Sequence, residues 1–182
     1  NPTVSLMEIS CPAVARKAQP GQFVILRVDE FGERIPLTIA DYDTVRGTVT
    51  IMYQRVGLTT QKLDALESGD NILDLVGPLG NPTETEGAKR VIVIGGGVGC
   101  AIAFPQAKAL HNAGVPVDVI VGFRTKELVF LESSFRRNCD NLYITTDDGT
   151  YGEKGFVSNK LTELLEAGND YDLAIAIGPV PM

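Results

Sequence analysis

The residue types that most often carry metal sites and nucleophilic catalysis are scarce in this chain. Cysteine occurs three times, at Cys11, Cys100 and Cys139, and this wide spacing provides no Cys-x-x-Cys pair. The sequence therefore indicates neither a zinc site nor an iron–sulfur site, and we expect buried or incidental thiols in a reducing cytoplasm. The single histidine, His111, lies late in a predicted helix, so a Ser-His-Asp mechanism is not expected.

Long apolar runs and an excess of basic residues are also missing. No apolar segment reaches the roughly 18 residues that a membrane-spanning helix needs, and the first residues show no basic segment followed by an apolar one. The formal net charge is −7, with the acidic residues spread along the chain. Because nucleic-acid binders neutralise phosphates with Lys and Arg, this balance argues against that class. We expect a cytoplasmic protein without a membrane span.

The chain divides into two halves with different hydrophobic periods, joined by the polar linker "GNPTETEGAK" at residues 80–89. In the first half, short segments rich in β-branched residues alternate with Gly and Pro turns, which favours an antiparallel barrel or sandwich. One helix begins at Thr59 or Thr60 and ends at Gly69. The predicted strands cover residues 21–29, 34–43, 47–56 and 70–80.

The second half alternates strands with helices, which indicates βαβ units and a parallel sheet. Its predicted strands cover residues 90–95, 115–123, 141–148 and 171–179, and its predicted helices cover residues 98–114 and 155–168. We therefore expect an N-terminal antiparallel β-barrel over residues 1–86. An α/β parallel-sheet domain that binds a nucleotide should follow over residues 87–182.

The run "VIVIGGGVGCAIA" places Gly95, Gly96, Gly97 and Gly99 where a buried strand turns into a helix. The amino terminus of a helix offers unpaired N–H groups and a positive dipole end, and glycines let a phosphate approach the backbone. A tight turn can also be rich in glycine for packing alone, but the position between a buried strand and a helix favours a ligand. The acid that binds ribose in ordinary Rossmann dehydrogenases is replaced by Gly122-Phe123-Arg124, which argues against that class.

A barrel followed by a nucleotide-binding βαβ domain, together with several motifs, resembles the ferredoxin–NADP reductase superfamily. "RIPLTIA" (34–40) is similar to its flavin strand, and "VGLTTQKL" (56–63) to the helix start that receives the flavin pyrophosphate. "GPLGNP" (77–82) and "IGPVPM" (177–182) resemble two of its turns. Within the superfamily, "GGGVGCAIA" and "TDDGTYGEKGFV" (146–157) resemble the small subunits of NADH-dependent ferredoxin–NADP reductase, with dihydroorotate dehydrogenase electron-transfer subunits as near relatives. The resemblance covers the whole chain.

The resemblance implies an FAD site on the barrel. Arg34 would face the FAD phosphates, because a planar guanidinium binds phosphate oxygens in pairs, and Thr38 would lie near the flavin N5 edge. Without the resemblance, Arg34 is best interpreted as a surface charge and Tyr53 as a packing residue. Leu37 departs from the family, since it stands where an aromatic side chain often stacks on the flavin. The further FAD-binding residues that the resemblance implies are Pro36, Tyr53, Gln54, Gly57, Thr59 and Thr60, of which the two threonines also suit a plain helix cap.

The resemblance also implies a pyridine-nucleotide site on the second domain. The pyrophosphate would lie on the glycine loop at residues 95–99, including Val98. Asp147 and Asp148, followed by Gly149, would accept hydrogen bonds from ribose or nicotinamide groups, although Asp-Gly is equally typical of a simple turn. Gly178 and Pro179 belong to the motif near the nicotinamide, where Ile177 replaces the cysteine of the family.

The chemistry implied by the resemblance is carried by cofactors. Hydride would pass between NAD(P)H and FAD, and electrons would then leave singly to a ferredoxin or a large catalytic subunit. The resemblance favours NADH, whereas Arg124 and Lys126 keep NADPH open. Related chains continue into a cysteine-rich segment with a [2Fe-2S] cluster, so we expect this chain to be a fragment. Two alternatives remain, an electron-transfer subunit of dihydroorotate dehydrogenase and a non-catalytic dinucleotide-binding interaction module.

Overall fold

The structure is a computed structural model that describes residues 2–179. The chain forms two compact units, the first over residues 3–83 and the second from residue 84 on. The boundary between the units falls inside the polar linker that separates the two sequence patterns.

The first unit is built on a five-stranded sheet. Its elements are β1 (Val4–Ser10), α1 (Pro12–Ala15), β2 (Phe23–Arg27), β3 (Ile35–Asp43), β4 (Thr48–Gln54), α2 (Leu58–Asp64) and β5 (Asp74–Leu79). The strand order is β1-β4-β3-β2-β5, and every neighbouring pair is antiparallel.

Alternating residues along the strands of the first unit point into one apolar core. In β2, for example, Val24 and Leu26 are fully buried while Ile25 between them is partly exposed. This period of two is what a strand with one buried face requires. Ala15 of α1 and Leu63 of α2 pack against the same core.

The second unit is built on a five-stranded parallel sheet. The elements are β6 (Val91–Gly96), α3 (Cys100–Asn112), β7 (Val117–Phe123), α4 (Glu132–Arg136), β8 (Asn141–Thr146), β9 (Glu153–Lys154), α5 (Val157–Glu166) and β10 (Leu173–Ile177). The strand order is β10-β6-β7-β8-β9. Short 3-10 helices occur at Gly97–Gly99 and Lys126–Leu128.

Helices cover both faces of the parallel sheet. On one face, Phe104 of α3 meets Phe135 of α4 edge to face with ring centroids 5.4 Å apart. On the other face, Val157 and Leu164 of α5 pack against the sheet. Strands β6 and β7 are therefore buried on both sides, which explains their continuous apolar runs. No helix in the described part of the chain is long and apolar enough to cross a bilayer.

A buried polar network ties the amino-terminal edge of the parallel sheet together. Asp118 of β7 is 4% exposed. Its carboxylate accepts hydrogen bonds from the Tyr171 hydroxyl at 2.7 Å, from the Asn141 amide at 2.7 Å and from Arg90 at 3.2 Å. These donors lie beside the starts of β10, β8 and β6, so the network connects four strands at one edge. Its partners satisfy the buried carboxylate, whose loss of hydration would otherwise be costly.

Candidate functional site

The carboxyl-terminal edge of the parallel sheet gathers the residues that the sequence assigns to a nucleotide site. The glycine loop begins with Gly95 and Gly96 at the end of β6 and continues into the 3-10 turn at Gly97–Gly99. The acidic turn at residues 147–149 follows β8, and Gly178 and Pro179 follow β10. Strands β10, β6, β7 and β8 are neighbours and parallel, so these segments emerge at the same edge. Ligands of open α/β sheets bind at this edge. Val180, Pro181 and Met182 of the last motif lie outside the described residues.

The glycines of the loop differ in what surrounds them. A Cβ atom on Gly95 would lie 2.9 Å from the Cys100 sulfur, and one on Gly99 would collide with the Ile177 carbonyl oxygen. Both positions exclude a side chain because the fold packs closely there. Gly97 instead has φ +54° and no atom within 4 Å of the place that a Cβ would take. Packing explains Gly95 and Gly99, whereas Gly97 leaves the backbone open to a ligand.

The cysteine beside this loop is part of the packing. Cys100 begins α3 and is fully buried, and burial raises the pKa of its thiol far above the ordinary range. Burial also raises the pKa of Cys139 to about 11. Because the thiolate is the reactive form, neither side chain is a nucleophile at neutral pH.

The loops that follow β7 and β8 are bonded to each other. The Asp147 N–H donates to the Phe123 carbonyl at 3.0 Å, and the Asp148 N–H donates to the Arg124 carbonyl at 3.3 Å. The hydroxyl and the N–H of Thr150 both donate to the Asp148 carboxylate, which lowers the pKa of that carboxyl. Asp148 is therefore ionised at neutral pH, and both aspartates are exposed.

A shallow cavity of about 580 Å³ adjoins these loops. Its walls include Val129 and Phe130, which are apolar, and Lys126, Glu132, Arg136 and Tyr151, which are polar. The Tyr151 hydroxyl bonds to the Glu132 carboxylate, although 19 positions separate them in the chain. The sequence gives no sign that these two residues interact. Its only indication is that Tyr151 lies close to the Asp148-Gly149 turn.

In the first unit, strand β3 presents part of the expected flavin site on its outer face. Pro36 pairs with Ile25 of β2, and Ile25 pairs on its other side with Val76 of β5. These three residues form an apolar row across neighbouring strands, with Pro36 and Val76 exposed. Thr38 lies on the same outward-facing set of β3 positions as Pro36. Leu37 pairs with buried Val24 and packs against the core instead.

Two arginines share one carboxylate beside this row. Arg27 and Arg34 reach the same oxygen of Asp74, at 2.7 Å and 3.1 Å respectively. Two guanidinium groups and one carboxylate leave a net positive charge at the surface. A partly exposed Arg with unused N–H groups suits a phosphate.

The start of α2 is stabilised by its own residues. The Thr60 hydroxyl accepts hydrogen bonds from the N–H groups of Val56 and Gly57, both at 3.1 Å, and donates to the Gly57 carbonyl at 2.9 Å. Thr59 is buried, while Leu58 is exposed. The sequence predicts Thr59 or Thr60 as the cap, but α2 begins at Leu58 with Gly57 at the N-cap position and ends at Asp64 rather than Gly69. Thr59 and Thr60 lie within the first turn, where the Thr60 hydroxyl bonds back to the Gly57 backbone.

Tyr53 and Gln54 point in opposite directions at the end of β4. Tyr53 is 3% exposed and belongs to the core of the first unit, where burial raises its pKa to about 12. Gln54 is exposed. Tyr53 therefore has a packing role, which is the alternative that its position in a strand already indicated.

The antiparallel sheet and the following parallel sheet match a known structural class. No protein-family model matches the chain. The structure superimposes with a TM-score of 0.91 and 42% identity on the NADH-dependent reduced ferredoxin–NADP oxidoreductase, solved in work on flavin-based electron bifurcation. The match covers 99% of this chain and 64% of that one. The fold is that of the ferredoxin–NADP reductase superfamily, and the expected fold class is confirmed.

Curated relatives define the family more narrowly. The chain is 36% identical over 183 residues to the electron transfer subunit of dihydroorotate dehydrogenase B (NAD(+)) from Geobacillus thermodenitrificans, covering 97% of this chain and 69% of that protein. It is 43% identical over 174 residues to a homolog of this subunit from Thermotoga maritima, covering 96% of this chain. The chain belongs to the family of these electron transfer subunits. It spans 61% of the Thermotoga protein and 62% of a Clostridium beijerinckii relative.

Proposed function

We propose that the chain is the dinucleotide-binding part of a flavin-dependent electron-transfer subunit. In this role it holds FAD and a pyridine nucleotide, between which hydride passes, and electrons then leave to an iron–sulfur partner. The observation that carries the proposal is the open, left-handed backbone at Gly97. It begins the 3-10 turn that leads into a helix of 13 residues, at the edge of the sheet where ligands bind.

The residues of the first unit fit an FAD. The net positive charge of Arg27, Arg34 and Asp74 offers a place for phosphate oxygens. The exposed apolar row that contains Pro36 and Val76 suits a planar ring, and Thr38 supplies a hydroxyl on the same face. A bound flavin would take up a hydride and release electrons one at a time, and the side chains would bind and orient it.

The residues of the second unit fit a pyridine nucleotide. The backbone of Gly97 and Val98 would receive the pyrophosphate, and Gly178 and Pro179 would border the nicotinamide. Asp147 and Asp148 would accept hydrogen bonds from ribose hydroxyls. Since Asp148 is ionised, it would repel a 2′-phosphate. This charge supports NADH over NADPH, although exposed Arg124 and Lys126 are the cations that would favour NADPH.

The partner is proposed from the relatives, which are named as subunits. We expect a larger catalytic or flavoprotein subunit, or a ferredoxin-type carrier, to accept the electrons. A [2Fe-2S] cluster would be held by a segment beyond this chain. Dihydroorotate dehydrogenase is the second candidate partner, because 36% identity links the chain to subunits of that enzyme. The three free cysteines suit a reducing compartment, and we place the protein in the cytoplasm.

Spectroscopy of the purified chain tests this function. The protein should show a flavin absorption spectrum, or acquire one on incubation with FAD. Anaerobic NADH should bleach that spectrum faster than NADPH at equal concentration. A colourless protein that does not take up FAD would favour the non-catalytic interaction module, and faster bleaching by NADPH would overturn the coenzyme preference. The large subunit that co-purifies with the chain distinguishes the two candidate partners.

A further inference from the structure

We infer that Tyr151 and Glu132 are positioning residues that hold the acidic turn ready for the pyridine nucleotide. We call this pair the Tyr151–Glu132 clamp. The Tyr151 hydroxyl lies 3.0 Å and 2.9 Å from the two carboxylate oxygens of Glu132. This hydrogen bond to a charged acceptor is stronger than a neutral one, and it raises the pKa of Tyr151. The inference rests on the proposed function, because the ligand is the nucleotide proposed above.

The Glu132 side of the clamp is anchored in the core. Arg136 donates twice to one oxygen of Glu132, at 2.9 Å and 2.8 Å, within α4. Phe135 of the same helix is fully buried and packs against Phe104. Leu131, the residue before α4, has φ +60° and is the one non-glycine residue with positive φ between residues 2 and 179. The chain adopts this unfavourable backbone where Glu132 enters the first turn of α4.

The Tyr151 side of the clamp closes the acidic turn. The Thr146 hydroxyl donates to the Tyr151 carbonyl at 2.7 Å and accepts from the Tyr151 N–H at 3.1 Å. Thr146 is fully buried at the end of β8. Residues 146–151, which include Asp147 and Asp148, therefore form a loop whose first and last residues are hydrogen-bonded to each other. The Tyr151 hydroxyl connects this loop to α4 through its bond to Glu132.

A second connection reaches the same turn from the segment after β7. The Lys126 N–H donates to the Thr150 hydroxyl at 2.9 Å, and that hydroxyl donates to the Asp148 carboxylate at 2.7 Å. The Lys126 ammonium also lies 5.5 Å from the centre of the Tyr151 ring. The turn is thus fixed before any ligand arrives, and a nucleotide need not order it on binding. Pre-organisation of this kind raises affinity without changing the chemical step.

Replacing the hydroxyl tests the clamp. Tyr151→Phe removes the bond to Glu132 and keeps the ring beside Lys126 and the backbone bonds to Thr146. In anaerobic reduction of the flavin by NADH, we expect KM to rise about three- to tenfold, with the limiting rate and the flavin spectrum unchanged. Glu132→Ala should raise KM by at least as much, because it removes the bond from Tyr151 and also the bonds from Arg136. In the double variant, KM should rise no further than in Glu132→Ala alone, because that substitution already removes the bond that Tyr151→Phe removes.

Tyr171→Phe is the matched control. It removes an equivalent bond from a tyrosine to a carboxylate, the 2.7 Å bond to Asp118, at the opposite edge of the sheet. It should lower the unfolding temperature and leave KM for NADH unchanged. An equal rise of KM in the Tyr171 variant, or an unchanged KM in Tyr151→Phe, would overturn the inference.

Hydrogen exchange gives a readout that does not depend on the nucleotide. The amides of residues 147–150 should exchange several times faster in Tyr151→Phe than in the wild type, and unchanged exchange would refute the clamp. If the wild-type flavin is not reduced by either nucleotide while exchange accelerates as expected, the proposed function fails and the clamp stands as a determinant of loop order. The two ideas are therefore separable.

Discussion

Replacement of Gly97 by alanine separates a ligand role from a packing role in the glycine loop. The residue has φ +54°, so an alanine there costs about 1 kcal/mol of backbone strain. No atom lies within 4 Å of the new methyl group, so no steric clash adds to this cost. For a domain of about 100 residues, a loss of about 1 kcal/mol lowers the unfolding temperature by about 4–8 °C. The variant should therefore fold.

The same methyl group would occupy the space in which we propose that the pyrophosphate binds. It would keep phosphate oxygens away from the N–H groups of the loop. We expect the dissociation constant for NADH to rise at least tenfold, a change of about 1.4 kcal/mol. Calorimetric titration of the chain with NADH measures this directly, and the unfolding temperature is recorded on the same sample.

Gly114→Ala provides the matched control. Gly114 follows the end of the same helix, has φ +78° and also has no atom within 4 Å of the place that a methyl group would take. The backbone strain is therefore similar, while the length of α3 places the change about 20 Å away. This variant should lose similar stability and bind NADH normally. Normal NADH binding by Gly97→Ala, or equal weakening by Gly114→Ala, would refute the assignment of the loop to the nucleotide.

Three further predictions concern the second unit and the thiols. The Thr145 hydroxyl is buried without a hydrogen-bond partner among the described residues. Thr145→Val should therefore raise the free energy of unfolding, measured by urea titration, by about 1 kcal/mol. A decrease would contradict this. At pH 8 only Cys11 should react with a thiol reagent in the folded chain, because burial raises the pKa of Cys100 and Cys139. Rapid modification of a second thiol would contradict this prediction. Backbone N–H groups lower the pKa of Asp172, so the stability it contributes is present above the usual carboxyl pKa and lost as pH falls. Asp172→Asn should therefore lower the unfolding temperature at pH 7 more than at pH 3, and equal effects would disprove this account.

The parts of the fold that could be predicted from the sequence are those with a strong hydrophobic period. Residues 91–94 and 117–121 are buried on both faces of the parallel sheet, as their apolar runs indicate. The short segments and turns of the first unit indicate its antiparallel strands, yet they do not reveal β1. In "VSLMEIS" the alternation of apolar and polar residues is broken where Leu6 is followed by Met7. Helix α4 also escapes prediction, because it has five residues and begins after a left-handed Leu131.

The details of the site depend on contacts between residues that are distant in the chain. The need for glycine at position 99 is set by the carbonyl of Ile177, at the end of a different strand. The role of Tyr151 depends on where α4 places Glu132. Composition and local pattern carry no information on such distances, so the sequence predicts which segments meet and not which atoms bond.

The buried network around Asp118 bears on which residues of the second unit can be substituted without disturbing its sheet. The side-chain bonds that connect four strands lie at the amino-terminal edge, whereas the nucleotide is expected at the carboxyl-terminal edge. Exposed residues after β7, such as Arg124, Lys126 and Glu127, can therefore be exchanged without removing these bonds. The proposed coenzyme preference can therefore be altered, by mutation or by design, while the network around Asp118 stays in place.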